Sequence, residues 1–453
     1  MPAGGTWTVQ NKVRPGAYIN FVSVPKAIGT LGERGTVAVG MPMTWGPAGE
    51  LIHLTGDELL NGASLAKVGV TAFDTEASLP YRVALAGCFN ALLFRTDVGG
   101  TKATATITGG TIRVSAKYTG TTGNKITIAT LKNKPDAGLT TIQVLVGGLL
   151  QESFIVDKLS ALTDIDSAFV EFEVTSTGTE IPETAGTPLV GGTNGTVNKD
   201  VYANFWSLLD TKNFQAIAMY DTDASVASLL KDKVEVWREK RGKKVQAVVY
   251  NYPDADYEGI ISVNQGFKTA DETVDTSLFM LWAASKTAGA QVNESLTAAV
   301  VEDAVEIINP LLEDQIEDAL NQGRFVLTYR QDGAVCVEKD INTLHTFTPD
   351  KNYAFSKNRV IRCLDEIGNT TALVFNRNYA GKVDNDNIGR NQYKTELISM
   401  FDSLVGLRAI QNFDGASDIT VLPGEVTDAV VVDLVVQPVD SMEKLYVTVN
   451  VNA

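Results

Sequence analysis

The 453-residue chain carries 54 acidic against 38 basic side chains, a formal net charge of −16; so acidic a surface repels DNA and anionic lipid, and neither nucleic acid nor membrane is expected as a partner. Its 44% hydrophobic and 20% charged residues exclude a disordered chain, and the length calls for roughly two to four domains. Three cysteines (Cys88, Cys336, Cys363) without CxxC spacing and two histidines (His53, His345) argue against a disulfide framework and against a metal centre, and no cofactor is expected.

In chain order, residues 1–29 read as an extended arm punctuated by Pro2, Gly4, Gly5, Pro15, Gly16 and Pro25. No apolar signal-peptide run is visible in it, so synthesis in the cytoplasm with release by lysis is the expectation. Within the arm, 16–21 (GAYINF) alternates, with Ala17, Ile19 and Phe21 on one side and Tyr18 and Asn20 on the other, as in a short strand. Residues 30–97 read as the first part of a mixed body: a strand at 36–41 (TVAVGM), helical spacing at 78–88 and a buried strand at 91–96. The apolar stretches 83–94 and 278–284 are too short to span a bilayer.

From 98 to 197 the character changes to Thr, Gly and Val, with alternating runs at 104–108, 111–118, 125–131, 141–146, 152–156 and 169–174 and one helical stretch at 157–162. Short strands between Gly-rich turns predict an inserted β-sandwich or barrel. From 198 to 350 strands (215–220, 244–250, 259–263, 325–330) alternate with helices (200–209, 224–241, 275–286, 310–321), which predicts an α/β layer with a largely parallel sheet. Residues 351–436 form an α+β segment with helices at 358–378 and 392–405 and a strand at 428–437. In the last segment, 437–453, residues 444–452 place Leu445, Val447, Val449 and Val451 on one face of a strand with nothing after it to cover its edge. That strand either completes its own sheet or pairs with a neighbour.

Catalytic chemistry is not visible. Neither histidine stands beside a nucleophile elbow, since GxSxG is absent; His53 falls in a Gly-bounded loop and His345 in an alternating segment. There is no GxGxxG or GxxxxGK[ST]. The GGTNGT run at 191–196 reads as a boundary loop, Asp384 and Asp386 as caps before a helix, and the basic run 238–244 as a helix end with its Gly stop.

Several stretches resemble contractile tail sheath proteins of phage tails and phage-tail-like particles, of the Gram-positive prophage type. They are Gly4-Gly5-Thr6-Trp7 through Lys12-Val13-Arg14-Pro15-Gly16 to Phe21; Arg34-Gly35 with Trp45-Gly46-Pro47; Ala116-Lys117-Tyr118 with Gly120, Gly123-Asn124 and Ile126; and 437–444 (QPVDSMEK). The resemblance implies a structural protein and not an enzyme. Its α/β domain would be subtilisin-like without protease activity, with an inserted outer β-rich domain, an α+β C-terminal domain and extended terminal arms. The arms would be exchanged between subunits through Tyr18, Ile19, Phe21, Leu445, Val447, Val449 and Val451. Partners would be copies of itself in a helical homo-oligomer, an inner tail tube protein, and baseplate and tail-terminator proteins, with Lys382, Arg390 and Lys394 the residues facing the tube. Two rivals stay open: a non-contractile tube- or capsid-type structural protein, and an α/β hydrolase.

Overall fold

The structure is a computed structural model that describes residues 3–5, 16–18, 34–107, 112–133, 136, 138–175 and 180–451. Ile19 and Phe21, with most of the opening motif, lie outside the described residues; Gly16–Tyr18 is a short strand paired in parallel with Ala3–Gly5. The chain divides into two compact units, Met1–Gly32 with Thr370–Gln437, and Glu33–Asn369 with Pro438–Ala453.

The larger unit is organised on a six-stranded sheet. Its strands are β1 (Thr36–Met41), β2 (Leu51–Thr55), β3 (Asn90–Arg95), β4 (Ala216–Met219), β5 (Gln246–Tyr250) and β6 (Ile260–Val263), in the spatial order β6-β5-β4-β1-β3-β2. Neighbours run parallel except at the β2–β3 edge, as the alternation of strands and helices requires. Both faces are covered, so the strands are apolar on both sides. Val37, Val39, Leu93, Ala218, Val248 and Ile261 point to one core, shared with helix Thr276–Gly289. Ala38, Leu92, Phe94, Ile217, Val249 and Ile260 point to the other, shared with helices Tyr202–Leu209 and Ala224–Glu235. Helix Thr276–Gly289 is apolar nearly all round because it is buried nearly all round, and Asp275 caps it by accepting the Leu278 amide at 2.9 Å.

His53 is a correction: it sits not in a loop but at the middle of β2, paired with Leu92. Ile52 and Leu54 are buried and His53 is turned outward; five residues of alternation next to Gly56 are too short to stand out from a turn.

Residues 102–188 build two antiparallel sheets. One runs Leu149–Val156, Thr140–Val146, Ile126–Lys132, Thr184–Pro188; the other Val170–Val174, Ile112–Thr119, Lys102–Ile107. Ile112, Val114 and Ala116 from one and Ile126, Ile128, Ile142 and Val144 from the other share a single core. The helical stretch expected at 157–162 is a 3-10 turn, Leu159–Asp164.

This part is tied to the segments that follow β1 and β3 around Trp45. Trp45 stacks edge-on against Tyr118 at 5.2 Å and lies 6.4 Å from Phe169. Gly120, at φ 128°, passes so close to Thr44 that a Cβ would sit 1.9 Å from its carbonyl oxygen. Beside it, Arg95 and Asp97 form an ion pair whose side chains are 1% and 2% exposed. Arg95 Nη1 donates to the carbonyls of Gly46 (3.1 Å) and Thr119 (2.9 Å), while Asp97 accepts the amides of Met43 (2.8 Å) and Gly195 (3.2 Å). Buried ionic groups persist only when paired and fully hydrogen-bonded, and this pair is.

In the smaller unit, helix Asn387–Gly406 buries Tyr393, Leu397, Met400, Phe401 and Leu404. It starts five residues before the expected 392 because Asp386 caps it, accepting the Gly389 amide at 2.8 Å. A two-stranded antiparallel ribbon follows, Ile419–Pro423 against Val430–Leu434.

Candidate assembly surfaces

The most unusual surface is the C-terminal tail. Its alternation predicts a strand over 444–452, yet the described residues from 439 to 451 have no regular secondary structure. Leu445, Val447, Val449 and Val451 are 87%, 68%, 77% and 86% exposed, and Tyr446 is 87% exposed. Apolar side chains exposed in such an alternating row are unusual for a monomer's surface.

The root of this tail is fixed. Lys357, with 3% of its side chain exposed, makes an ion pair with Glu443 and lies 3.7 Å from Asp440. The Glu443 carboxylate also accepts the hydroxyls of Thr297 (2.9 Å) and Ser441 (3.2 Å). Burial works against the charge on Glu443, but the Lys357 hydrogen bond and charge outweigh it and hold the carboxyl below its usual range. Thr297 accepts the Asp340 amide at 3.0 Å, and the Asp340 carboxylate accepts from Leu296, Asn358 and Arg362. A few residues along, Arg34 donates to the Ala290 carbonyl at 2.9 Å and faces Glu366 at 3.6 Å. Burial and the nearby Arg362 charge lower the Arg34 guanidinium to about 10, against the pull of Glu366.

The three basic residues singled out in the sequence lie at the start of helix Asn387–Gly406 and before it. Lys382 is exposed and donates to the Arg377 carbonyl at 2.5 Å. Arg390 is half-buried and closes the preceding loop, donating to Asn385 O (3.0 Å), Asn385 Oδ1 (2.8 Å) and Asn387 Oδ1 (2.6 Å). Lys394, also half-buried, reaches the Ala416 carbonyl at 3.2 Å. All three are thus held by oxygen acceptors on their own unit. Tyr18 belongs to the strand Gly16–Tyr18.

The groove between Thr75–Arg82 and Thr269–Thr273, about 1140 Å³, is lined by Glu76, Arg82, Asp271, Glu272 and Asp303 without histidine, serine or cysteine. His345 turns its Nδ1 to the Thr343 carbonyl at 2.8 Å, and the neighbouring Asp256 accepts the amides of His345 and Thr346. That carboxylate shapes a loop. Among the described residues no group of three His, Cys, Asp or Glu side chains can hold a metal, and no helix is long and apolar enough to cross a membrane.

Comparison with known proteins decides the family. Residues 195–343 match the phage tail sheath protein central domain and residues 350–452 the phage tail sheath C-terminal domain. The Bacillus subtilis phage-like element PBSX protein XkdK is 34% identical across 99% of this chain and 100% of its own length. The chain belongs to the phage tail sheath family. A sheath tail protein from Desulfitobacterium hafniense superposes with a TM-score of 0.80 at 37% identity, covering 95% of this chain and 99% of that one. The contracted helical sheath of the anti-feeding prophage shares the fold at 10% identity, with a TM-score of 0.54 over 98% of this chain and 99% of that one. The phage tail sheath family is a structural, non-enzymatic protein family.

Sequence reasoning did not find Lys357, Thr297 or the Arg95–Asp97 pair, and it marked Arg34 only as part of a motif, without its partners. Lys357 and Glu443 are 86 residues apart, and a pairing at that separation leaves no periodic signal. Arg95 and Asp97 do carry one: charges two residues apart at the end of an otherwise apolar strand must share a buried face.

Proposed function

We propose that this sheath protein polymerises helically around an inner tube and contracts to drive the tube through a target cell envelope. The observation that carries the reading is the exposed, alternating apolar row Leu445, Val447, Val449 and Val451. Donated to a neighbouring copy, this strand gains main-chain hydrogen bonds and covers its apolar face. At roughly 0.5–1.5 kcal/mol net per bond, about five bonds contribute a few kcal/mol per subunit, repeated along a lattice. The ribbon Ile419–Pro423/Val430–Leu434 supports the same reading, since a two-stranded sheet is marginal by itself and gains from added strands. Head-to-tail donation is a heterologous contact, which gives rings or open helices and not closed dimers.

In this reading residues 98–197 are an outer β-sandwich, 198–350 a subtilisin-like domain that continues the mixed body begun at 30–97, and 351–436 the domain nearest the tube. Residues 1–29, with Tyr18, Ile19 and Phe21, are the second exchanged arm. Lys382, Arg390 and Lys394 face the tube, and baseplate and terminator proteins close the ends. Contraction is a rotation of the globular bodies while the shared strands stay paired. Assembly takes place in the bacterial cytoplasm and release follows lysis.

Deleting residues 444–453 tests the reading. The truncated chain is expected to fold as a monomer and to give no cylinders by electron microscopy, with or without its tube protein. Normal cylinders from the truncated chain would overturn it.

A further inference from the structure

A strand that must reach a neighbour in register needs a fixed point of departure. A freely hinged tail loses roughly 1–2 kcal/mol of backbone entropy for each residue ordered on docking, whereas a tail already held at its root has less to lose. In this chain the change from held to free falls within two residues. Glu443 has 12% of its side chain exposed and is bonded to Lys357, Thr297 and Ser441. Two residues on, Leu445 is 87% exposed.

The holding site is not local to the tail. Asn358, Arg362 and Glu366 lie four residues apart along helix Asn358–Val374, so they share one face over about 12 Å of its length. They are 0%, 1% and 5% exposed. Asn358 and Arg362 hold Asp340, whose amide holds Thr297, which in turn donates to Glu443. Glu366 faces Arg34, the first described residue after the N-terminal segment. One buried polar stripe therefore connects the root of the tail to Arg34.

We propose that the Lys357–Glu443 pair is a positioning clamp for assembly, fixing the place and direction in which the C-terminal strand leaves the body for a second copy of this chain. The proposal rests on the donation of that strand. In the assembled lattice the clamp joins the donated strand rigidly to the body, so that rotation of one body is passed to its neighbour through the shared strand and is not absorbed by a loose linker.

The test compares four full-length or truncated chains, each assayed with its tube protein well below its own melting temperature: the unaltered protein, the chain lacking residues 444–453, Glu443→Gln, and the charge-exchanged double variant Lys357→Glu with Glu443→Lys. The readouts are the critical concentration for polymerisation and the melting temperature of the monomer. Truncation should abolish polymers. Glu443→Gln should raise the critical concentration roughly tenfold, and the exchanged pair should bring it most of the way back. If truncation abolishes polymers while folded Glu443→Gln polymerises like the unaltered chain, the clamp is overturned and strand donation stands. If the exchanged pair folds without restoring assembly, the clamp is likewise overturned. If the truncated chain polymerises normally, donation falls and the clamp with it. Should Glu443→Gln fail to fold, Ser441→Ala removes a single hydrogen bond from the same carboxylate and carries the comparison at about threefold; an unchanged critical concentration there overturns the clamp.

Discussion

Two buried ion pairs in the larger unit do opposite things. Arg95 and Asp97 lie two residues apart, and between them they hold Met43, Gly46, Thr119 and Gly195. Every segment meeting at that junction is held from more than one side, and Trp45 packs over it. Lys357 and Glu443 hold one segment by one end, and the described residues after it, 444–451, are exposed. The first pair fixes two parts of one subunit against each other. The second fixes the start of a segment whose described remainder stays exposed. Buried charge serves geometry in both, since apolar residues of similar volume would serve stability as well or better; what differs is whether the geometry is completed inside the chain.

The sharpest way to break the junction is Arg95→Met. It leaves Asp97 buried without its partner and two carbonyls without donors, at a cost of about 3–5 kcal/mol in chemical denaturation. Next is Gly120→Ala. Its Cβ would meet Thr44 O at 1.9 Å and its φ of 128° strains any side chain, so a loss of roughly 2–4 kcal/mol is expected, again read as a lower denaturation midpoint.

How far the amino-acid pattern reveals these features differs between them. β1 is placed to the residue at Thr36–Met41, and β3 to β6 to within two residues, because a doubly covered parallel strand is a compact apolar run with Gly, Pro or polar residues at its ends. β2 escaped since five residues with His53 turned outward look like a turn. The alternation at 444–452 states which face is apolar but not who covers it, and among the described residues no strand of the same chain does. Lys357 and Glu443 reveal nothing separately; a buried lysine is recognised only once Thr297 and Asp340 are seen around it. The sheath resemblance came from scattered motifs, and the structure gives some of them a physical reason: Tyr118 and Gly120 meet Trp45 and Thr44 at the junction.

Acid should distinguish the two pairs less than mutation does. Burial opposes ionisation of both Asp97 and Glu443, yet hydrogen bonds and a cation hold both below the usual carboxylate range. A depressed carboxylate contributes stability that is complete above its unfolded value, about 4, and is lost as pH falls through the lower folded value. Monomer stability should therefore fall with acidification in this window. Glu443→Gln should flatten the slope of stability against pH there and leave it unchanged above about pH 6; an unchanged acid slope would mean that Glu443 is not ionised and paired in the folded chain.

The smallest effect on stability is expected where the effect on assembly is largest. Residues 444–451 contribute almost no burial to the isolated chain, with Leu445, Val447, Val449 and Val451 all at least two-thirds exposed. Among the described residues, truncation after Glu443 takes away little buried surface and leaves the Glu443 carboxylate in place, so the monomer's denaturation midpoint should move by no more than about 0.5 kcal/mol. A junction variant of the Arg95 kind lowers stability and assembly together, because the subunit that should assemble is lost. The truncated chain separates the two: an unmoved midpoint with no polymer means the tail belongs energetically to the neighbour. A midpoint lowered by several kcal/mol would instead mean that the tail folds back on its own subunit in solution, and the contrast between the two ion pairs would disappear.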